Sequence, residues 1–255
     1  MDLNYKTFGQ GDPLIILHGL FGTLDNWQTV ARQLSNHYSV YIVDLRNHGR
    51  SPHADEAGYP VMAEDLKVFM ENHWIYKAHI MGHSMGGKTA MQLALDYPEM
   101  VDKLVVVDIA PKGYKGGHET IFKALFAVDM DELEDRSQAE KILATYIDDN
   151  GVVQFLLKNL TRKKEGGYEW KMNLPVLFRD YDKIVGAVEG HEAFEHPALF
   201  IRGEKSTYIL DEDWPAILEL FPEARLETVL NAGHWVHADN PAALLGLVEN
   251  FLYSS

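Results

Sequence analysis

The stretch Gly82-His83-Ser84-Met85-Gly86 determines how the rest of the sequence is interpreted. It fits the pattern Gly-x-Ser-x-Gly, in which a serine occupies a sharp turn between a strand and a helix. Residues 77–81 before it suit a short buried strand, and residues 87–95 after it carry apolar side chains at helical spacing. The two outer glycines lack the Cβ atoms that would collide where the strand folds directly into the helix. These flanks predict a strand, a strained turn that presents Ser84, and a helix.

Composition and charge limit the classes of protein to which the chain can belong. Its 255 residues are 46% hydrophobic and 24% charged, which is typical of a globular protein. The formal net charge of −15 argues against binding to nucleic acid and to anionic membranes. The chain has no cysteine, so disulfides and thiolate chemistry are excluded.

Targeting signals are also missing from the sequence. The first residues lack the basic and then apolar form of a signal peptide. No apolar run approaches the ~20 residues that cross a bilayer. We therefore expect a cytoplasmic protein without stable membrane insertion, and the sequence leaves its oligomeric state open.

Apolar runs alternate with helical patterns over the first half of the chain. Continuous apolar runs are typical of strands covered on both faces, and their alternation with helices predicts a parallel sheet. We expect an α/β fold with a mostly parallel central sheet flanked by helices. The expected strands span 3–8, 14–17, 40–43, 77–81, 104–107, 198–201 and 226–230, and the expected helices of this layer include 27–34, 61–71 and 241–252. Asp25 is the predicted cap of the first of these helices.

The alternation stops between about residues 112 and 195. This stretch shows helical patterns at 118–128, 137–148, 151–160 and 176–188, with few strand signals. The sequence therefore predicts a core formed by residues 1–111 and 196–255. It also predicts a helical cap, residues 112–195, inserted after the strand that ends at Asp108.

Several polar side chains lie just after apolar runs. Functional groups gather at the carboxyl ends of strands in open α/β sheets, and a nucleophilic serine needs a base that is oriented by an acid. His18, Asp44, Ser84, Asp108 and His234 all occupy such positions. Serine first, acid next and histidine last is the chain order of hydrolytic triads on this type of sheet. We predict Ser84 as nucleophile, Asp108 as acid and His234 as base.

Further motifs resemble the α/β-hydrolase superfamily over nearly the whole chain. His18-Gly19 resembles its oxyanion loop, and residues 44–51 resemble its Asp-x-Arg-Gly-His-Gly-x-Ser loop, with Asn47 where glycine is usual. Together with residues 82–88, 107–111 and 233–237, these motifs resemble the YbfF-type bacterial esterases. The resemblance implies a small serine esterase with a helical cap that hydrolyses acyl esters or thioesters without a metal.

The oxyanion is expected to bind the backbone N–H groups of Leu20 and Met85, with Phe21 N–H as a third candidate donor. His18 is expected to shape the oxyanion loop. Asp44 and His48 are expected to hold their own loop by hydrogen bonds.

The acid departs from the pattern common in the family. Many members carry Gly-x-x-Asp after a later strand, where this chain reads Gly203-Glu204-Lys205-Ser206. Asp108 ends a buried apolar run and is the predicted substitute. The alternatives are that Glu204 or Asp211 serves as the acid, or that Asp108 only caps its loop.

Candidate substrate contacts are less specific. Aromatic side chains that could line an acyl pocket, or pack ordinarily in the core or cap, are Phe21, Phe122, Phe126, Phe155, Trp170 and Trp235. His234-x-x-His237 has a spacing seen in metal sites, but no partner cluster accompanies it, so no metal or other cofactor is expected. Arg162-Lys163-Lys164 fits either a solvated turn or a contact with the phosphates of a coenzyme A leaving group.

The expected function is a serine carboxylesterase that acts on a small-molecule acyl ester of short to medium chain length. An acyl-CoA thioester is the other candidate substrate. Dehalogenases and epoxide hydrolases of this fold use aspartate at the position of Ser84 and are excluded. Cofactor-free haloperoxidases, carbon–carbon hydrolases and a ligand receptor that retains the triad remain alternatives.

Overall fold

A computed structural model describes residues 1–253, and nine strands and eleven α-helices run through them. The strands are β1 (Tyr5–Phe8), β2 (Asp12–Leu17), β3 (Tyr38–Val43), β4 (Ala78–His83), β5 (Val101–Val107), β6 (Leu160–Arg162), β7 (Tyr168–Trp170), β8 (Ala198–Gly203) and β9 (Ala224–Val229). The helices are α1 (Gln28–Leu34), α2 (Tyr59–Asn72), α3 (Met85–Asp96), α4 (Glu119–Ala127), α5 (Arg136–Ala144), α6 (Asn150–Leu157), α7 (Leu174–Arg179), α8 (Tyr181–Val185), α9 (Trp214–Leu220), α10 (Val236–Asp239) and α11 (Pro241–Tyr253).

Seven strands form the central sheet in the order β1-β3-β2-β4-β5-β8-β9. Only β1 runs antiparallel to its neighbour, which confirms the mostly parallel sheet expected from the sequence. Leu17 pairs with Gly82, His83 with Val107, and Val107 with Ile201. This register brings the loops after β2, β4, β5 and β8 to one edge of the sheet.

The apolar runs form strands because both of their faces are buried. Ile15 and Leu17 point into a cluster shared with α2 and α3, whereas Leu14 and Ile16 point into a second cluster shared with α1 and α11. Alternate side chains of a strand point to opposite faces. A run of four apolar residues therefore supplies both layers of the core. None of the helices in residues 1–253 has the length and apolar character that a membrane span requires.

The turn into α1 differs from the expectation. A short 3₁₀ helix, Leu24–Trp27, precedes α1, and the N–H of Thr23 donates to Asn26 Oδ1 at 2.7 Å. Asp25 instead accepts a hydrogen bond from Lys6 Nζ at 2.7 Å. The prediction that Asp25 caps this helix was wrong because its carboxylate faces β1.

Residues 112–195, the inserted segment, contain α4 to α8 and the antiparallel pair β6 and β7. The sequence predicted one helix over 176–188, but α7 and α8 are separate helices that meet at Asp180. The β6–β7 hairpin was not predicted. Its turn contains Gly166 at φ 100° and Gly167 at φ 79°, a conformation that glycine adopts without strain. The assignment of this segment as a separate cap stays a prediction.

Lys88 connects α3 to two places in the inserted segment, its first residue and the end of α8. Lys88 is 1% exposed, and its Nζ donates to the carbonyls of Lys112 at 2.7 Å, Gly186 at 2.5 Å and Val185 at 3.4 Å. Burial lowers the pKa of Lys88 to about 7. The helix that follows Ser84 is thus tied to the start of the segment and to a turn in its last part.

Candidate active site

Ser84 lies in a strained turn between β4 and α3. Its φ is 54° and its ψ is −121°, outside the regions that most residues adopt. A Cβ at Gly82 would lie 2.1 Å from the carbonyl oxygen of Gly86, and one at Gly86 would lie 2.5 Å from the carbonyl oxygen of His18. Both positions therefore require glycine, and the turn presents the Ser84 side chain beyond the sheet edge.

Three side chains form a continuous hydrogen-bonded chain at this edge. Ser84 Oγ lies 3.1 Å from His234 Nε2, and His234 Nδ1 lies 2.7 Å from Asp108 Oδ2. The three come from loops after β4, β5 and β9, which the sheet order brings together. The structure thus places the sequence-predicted serine and acid on opposite sides of the predicted histidine, each within hydrogen-bond distance of its ring.

The carboxylate of Asp108 is completely buried, at 0% exposure. Its Oδ1 accepts from the N–H of Gly203 at 2.9 Å, and its Oδ2 accepts from the hydroxyl of Ser206 as well as from His234. Ser206, at the position where many family members have the acid, therefore contacts the aspartate of this chain. The sequence analysis did not anticipate this contact.

The two alternative acids lie elsewhere. Glu204 accepts from the N–H of Asn231 at 2.8 Å, and Asp211 accepts from Arg202 at 2.7 Å. The side chain of Asp211 is 89% exposed. Neither carboxylate contacts His234, so the geometry favours Asp108 as the acid.

Two further residues, which the sequence analysis missed as partners, hold His234. The Tyr208 ring stacks on the imidazole with centroids 3.9 Å apart and planes at 20°. His83 Nε2–H donates to the carbonyl of His234 at 2.8 Å. Burial and the neighbouring His234 ring hold the pKa of His83 well below its usual value, so it acts as a neutral donor. The only sequence signal for these roles was proximity to the motifs.

The loop after β2 packs against Ser84 through its backbone. A Cβ added at Gly19 would lie 3.3 Å from Ser84 Cβ. His18 Nδ1–H donates to the carbonyl of Gly19 at 2.8 Å, and its Nε2 accepts from the N–H of Leu45 at 3.0 Å. These bonds agree with the expectation that His18 shapes this loop and show that its ring is neutral.

Phe21 in the same loop adopts φ 59°, which is uncommon for a residue with a side chain. Its carbonyl accepts from Asn159 Nδ2 at 2.7 Å, across 138 residues of sequence. Asn159 is buried, and its Oδ1 has no partner within residues 1–253. The inserted segment therefore helps to orient the backbone N–H groups of the loop, and no motif indicated this.

The loop after β3 is held by Asp44, as expected. Asp44 accepts from the N–H of Leu24 at 2.7 Å and of Arg50 at 2.9 Å. Asn47 adopts φ 63°, a left-handed conformation that asparagine tolerates better than most residues, which explains how it replaces glycine. His48 donates from Nδ1 to the carbonyl of Arg46 at 2.9 Å, and burial lowers its pKa to about 3.

A cavity of about 410 Å³ opens beside Ser84. Of the aromatic residues predicted to line it, Phe21, Phe155 and Trp235 do so. Phe122 does not, because it packs edge-on behind Phe21 with centroids 5.1 Å apart. Phe126 and Trp170 were also wrongly placed, because both line a separate groove on the outer side of the inserted segment.

His237, the second histidine of His234-x-x-His237, packs against an aromatic ring, and the basic turn at residues 162–164 lies away from the cavity beside Ser84. His237 stacks on Trp27 with centroids 4.5 Å apart, and burial lowers its pKa to about 4. Within residues 1–253, no group of three or more histidine, aspartate or glutamate side chains is arranged to hold a metal ion. Lys163 lines the groove beside Phe126 rather than the cavity beside Ser84.

Comparison with known proteins agrees with this geometry. Residues 12–128 match the model of a family described as alpha/beta hydrolase fold. Esterase YbfF of Escherichia coli (strain K12) is 43% identical over 241 residues, which cover 94% of this chain and 92% of the relative. The sn-1-specific diacylglycerol lipase ABHD11 of Mus musculus is 40% identical over 94% of this chain and 80% of its own length. A solved structure, described as a marine microorganism esterase, has a TM-score of 0.96 and 43% identity, with 98% of each chain covered. The chain belongs to the α/β-hydrolase family.

Proposed function

We propose that this protein is a serine carboxylesterase in which Ser84, His234 and Asp108 carry the reaction. The observation that supports it most is the unbroken chain from Ser84 Oγ through the imidazole to the buried Asp108, at 3.1 Å and 2.7 Å. In such a chain the carboxylate orients the imidazole and stabilises its cation, while the imidazole takes the serine proton.

The first half-reaction forms an acyl-enzyme. Ser84 Oγ bonds to the ester carbonyl carbon as its proton passes to His234 Nε2, and the carbonyl electron pair moves onto oxygen. The tetrahedral intermediate then expels the alcohol, which takes the proton from His234. In the second half-reaction a water gives a proton to His234 and attacks the acyl carbon. The bond from this carbon to Ser84 Oγ then breaks, His234 returns the proton to Oγ, and the carboxylic acid is released.

Backbone N–H groups are the proposed oxyanion donors. Met85 begins α3, and the first N–H groups of a helix have no acceptor within it. Leu20 lies in the loop that packs against Ser84, and both residues border the space in front of Oγ. The positive end of the α3 dipole adds to the stabilisation of the negative oxygen. Loss of one donor of this kind typically costs ~10²–10³ in rate.

The cavity favours neutral esters over coenzyme A thioesters as substrates. Its apolar walls include Ile121, Val152 and Phe155, which suit the uncharged chains of an ester. Two carboxylates, Asp149 and Asp239, border it, and no lysine or arginine of residues 1–253 does. Such a border repels the phosphates of coenzyme A. The inserted segment supplies one wall and is proposed as a cap, and a cytoplasmic location stays a prediction.

The decisive test replaces Ser84 with alanine. We expect Ser84→Ala to lose ~10⁴–10⁶ in kcat on p-nitrophenyl esters, as nucleophile removal does in serine hydrolases. A fluorophosphonate probe should label the wild type and not this variant, while Ser137→Ala, on the exposed side of α5, should label normally. Labelling that persists in Ser84→Ala would place the nucleophile elsewhere. Very slow turnover by the wild type, with a stable adduct, would instead indicate a ligand receptor.

A further inference from the structure

Two cavities of very different size meet at Ser84. Besides the cavity of about 410 Å³, a second one of about 30 Å³ lies on the other side of the serine. The two share four wall residues, namely Leu20, Ser84, His118 and Tyr208. The smaller cavity reaches down to Met85 and Lys88 of α3, whereas His234 lines only the larger one.

The chemistry of the tetrahedral intermediate separates the two cavities. Its negative oxygen must face the N–H groups of Leu20 and Met85, and its leaving alcohol must face His234 Nε2, which returns the proton. Because Met85 lines only the smaller cavity, the negative oxygen lies at the mouth of that cavity, and the acyl group extends past it, away from His234. We propose that the smaller cavity is the acyl subsite and the larger one the alcohol subsite, so that the enzyme prefers acetyl and propionyl esters of bulky alcohols. This inference rests on the esterase function and narrows its substrate class.

The volume of the smaller cavity sets the acyl length. A water-sized group occupies at least ~10–15 Å³ on this measure, so 30 Å³ holds about two such groups. The carbonyl carbon itself lies at Ser84 Oγ, which leaves room for one or two further carbons. A hexanoyl chain does not fit unless the walls move.

Hydrogen bonds to the backbone hold those walls in place. The hydroxyl of Tyr114 accepts from the N–H of Ala110 at 2.9 Å and donates to the carbonyl of Tyr208 at 2.6 Å. The hydroxyl of Tyr59 donates to the carbonyl of Ile184. Because the hydroxyls of both tyrosines are bonded to backbone groups elsewhere in the chain, moving these two side chains to widen the cavity would break several hydrogen bonds at once.

The single cation in the wall is not available to an acyl carboxylate. The ammonium of Lys88 has three N–H donors, and three backbone carbonyls accept from it. Its Nζ also lies 4.7 Å from the ring centroid of Tyr114. The smaller cavity therefore offers no free charge to a bound acyl group, and it suits a short, neutral one.

Two series of esters test the assignment on the wild-type enzyme. One series varies the acyl group as p-nitrophenyl acetate, propionate, butyrate, hexanoate and octanoate. The other keeps the acetyl group and varies the alcohol from ethyl to octyl. We expect kcat/KM to fall at least about tenfold between propionate and hexanoate, because one misfitting methylene costs ~10-fold or more. Along the acetate series it should stay level or rise.

A matched pair of variants locates the effect. Ile184→Ala shortens a wall of the smaller cavity and should raise the hexanoate-to-acetate ratio about tenfold. Val152→Ala shortens a wall of the larger cavity and should leave that ratio unchanged.

Several outcomes would overturn the assignment. If kcat/KM stayed constant along the acyl series and the acetates of long alcohols were hydrolysed poorly, the two subsites would be reversed. A shift of the acyl ratio by Val152→Ala alone would do the same. If Ile184→Ala does not fold, the two wild-type series decide by themselves. A wild type that hydrolyses no ester and takes no fluorophosphonate label would refute the esterase function itself, and the subsites with it.

Discussion

Two buried aspartates, Asp44 after β3 and Asp108 after β5, occupy similar places in the fold and have different partners. Asp44 accepts from two backbone N–H groups and from Asn4 Nδ2 at 2.7 Å, all of them amides. Asp108 accepts from one backbone N–H, from a hydroxyl and from the imidazole of His234. The amides around Asp44 never change charge, whereas in the proposed mechanism the imidazole gains a proton in each turnover. A buried carboxylate thus holds a loop in one region, and in the other it is proposed to stabilise a transient cation.

The largest expected effect comes from Asp108→Asn. An asparagine amide cannot stabilise the imidazolium and favours the wrong tautomer, so kcat should fall by roughly 10⁴, the loss measured for this change in a serine protease. The assay is one short p-nitrophenyl ester, with folding checked by circular dichroism. Glu204→Gln and Asp211→Asn serve as controls and should stay within a few-fold of wild type. Near-normal kcat in Asp108→Asn, with collapse in either control, would move the acid to that residue.

The second prediction concerns how the stability of the protein depends on pH through two buried histidines, His48 and His237. The pKa of His48 is lowered to about 3 and that of His237 to about 4, both by burial. Below the unfolded value of ~6.5, the unfolded chain binds more protons than the folded one. The free energy of unfolding is therefore complete above pH ~6.5 and decreases as the pH falls towards 4, by about 3 kcal/mol for each histidine.

Urea unfolding at several pH values between 7.5 and 4.5 measures this dependence. His48→Gln keeps a donor for the carbonyl of Arg46. It should reduce the slope of the free energy of unfolding against pH by the amount that corresponds to about one bound proton. His53→Gln, at an exposed position, should leave the slope as it is. Identical slopes in wild type and His48→Gln would show that His48 does not stay neutral in the folded protein.

Asp44→Asn should affect stability more than rate, in contrast to Asp108→Asn. The new amide group would face N–H donors, and hydrogen bonds to a charged acceptor contribute about 1.5–3 kcal/mol. We expect the free energy of unfolding to fall by about 2 kcal/mol and kcat on a short ester to fall less than tenfold. A loss of kcat comparable to that of Asp108→Asn, with stability unchanged, would remove the distinction between the two regions.

The smallest expected effect is that of Ser206→Ala. The variant removes one donor from Asp108 Oδ2 and leaves His234 and Gly203 in place, so kcat should fall about tenfold, the equivalent of one hydrogen bond to a charged group. The neighbouring exposed Thr207→Ala is the control. Equal kcat values for both variants would show that the serine only fills space.

The sequence predicted the frame of the site well because its signals are local. Apolar runs of four residues indicated the buried strands, and polar residues just after the runs indicated the edge of the sheet where side chains gather. Ser84, Asp108 and His234 were predicted in this way, and the structure places them at that edge. Asn47 was noted as unusual. The left-handed backbone at Asn47 explains why asparagine can stand there.

The contacts between distant segments could not be predicted. No motif of the sequence analysis included Asn159, yet its side chain donates to the carbonyl of Phe21. Phe126 and Trp170 are aromatic residues of the kind that often line pockets, but they line a different groove. The direction of an aromatic side chain depends on how a helix is rotated against its neighbours, and periodicity alone does not specify which of two cavities it meets.

The three bonds of Lys88 have a consequence for engineering. Exchange of this segment for that of a related hydrolase would cut the chain near residues 112 and 195. Residue 112 and residues 185–186, which lie before the second cut, supply the acceptors for one ammonium four residues after Ser84. A transplanted segment whose carbonyls at these positions pointed elsewhere would leave a buried ammonium without acceptors one helical turn from Ser84. Chimeras should therefore keep residues 112 and 185–186 with the host scaffold and join the new segment inside them.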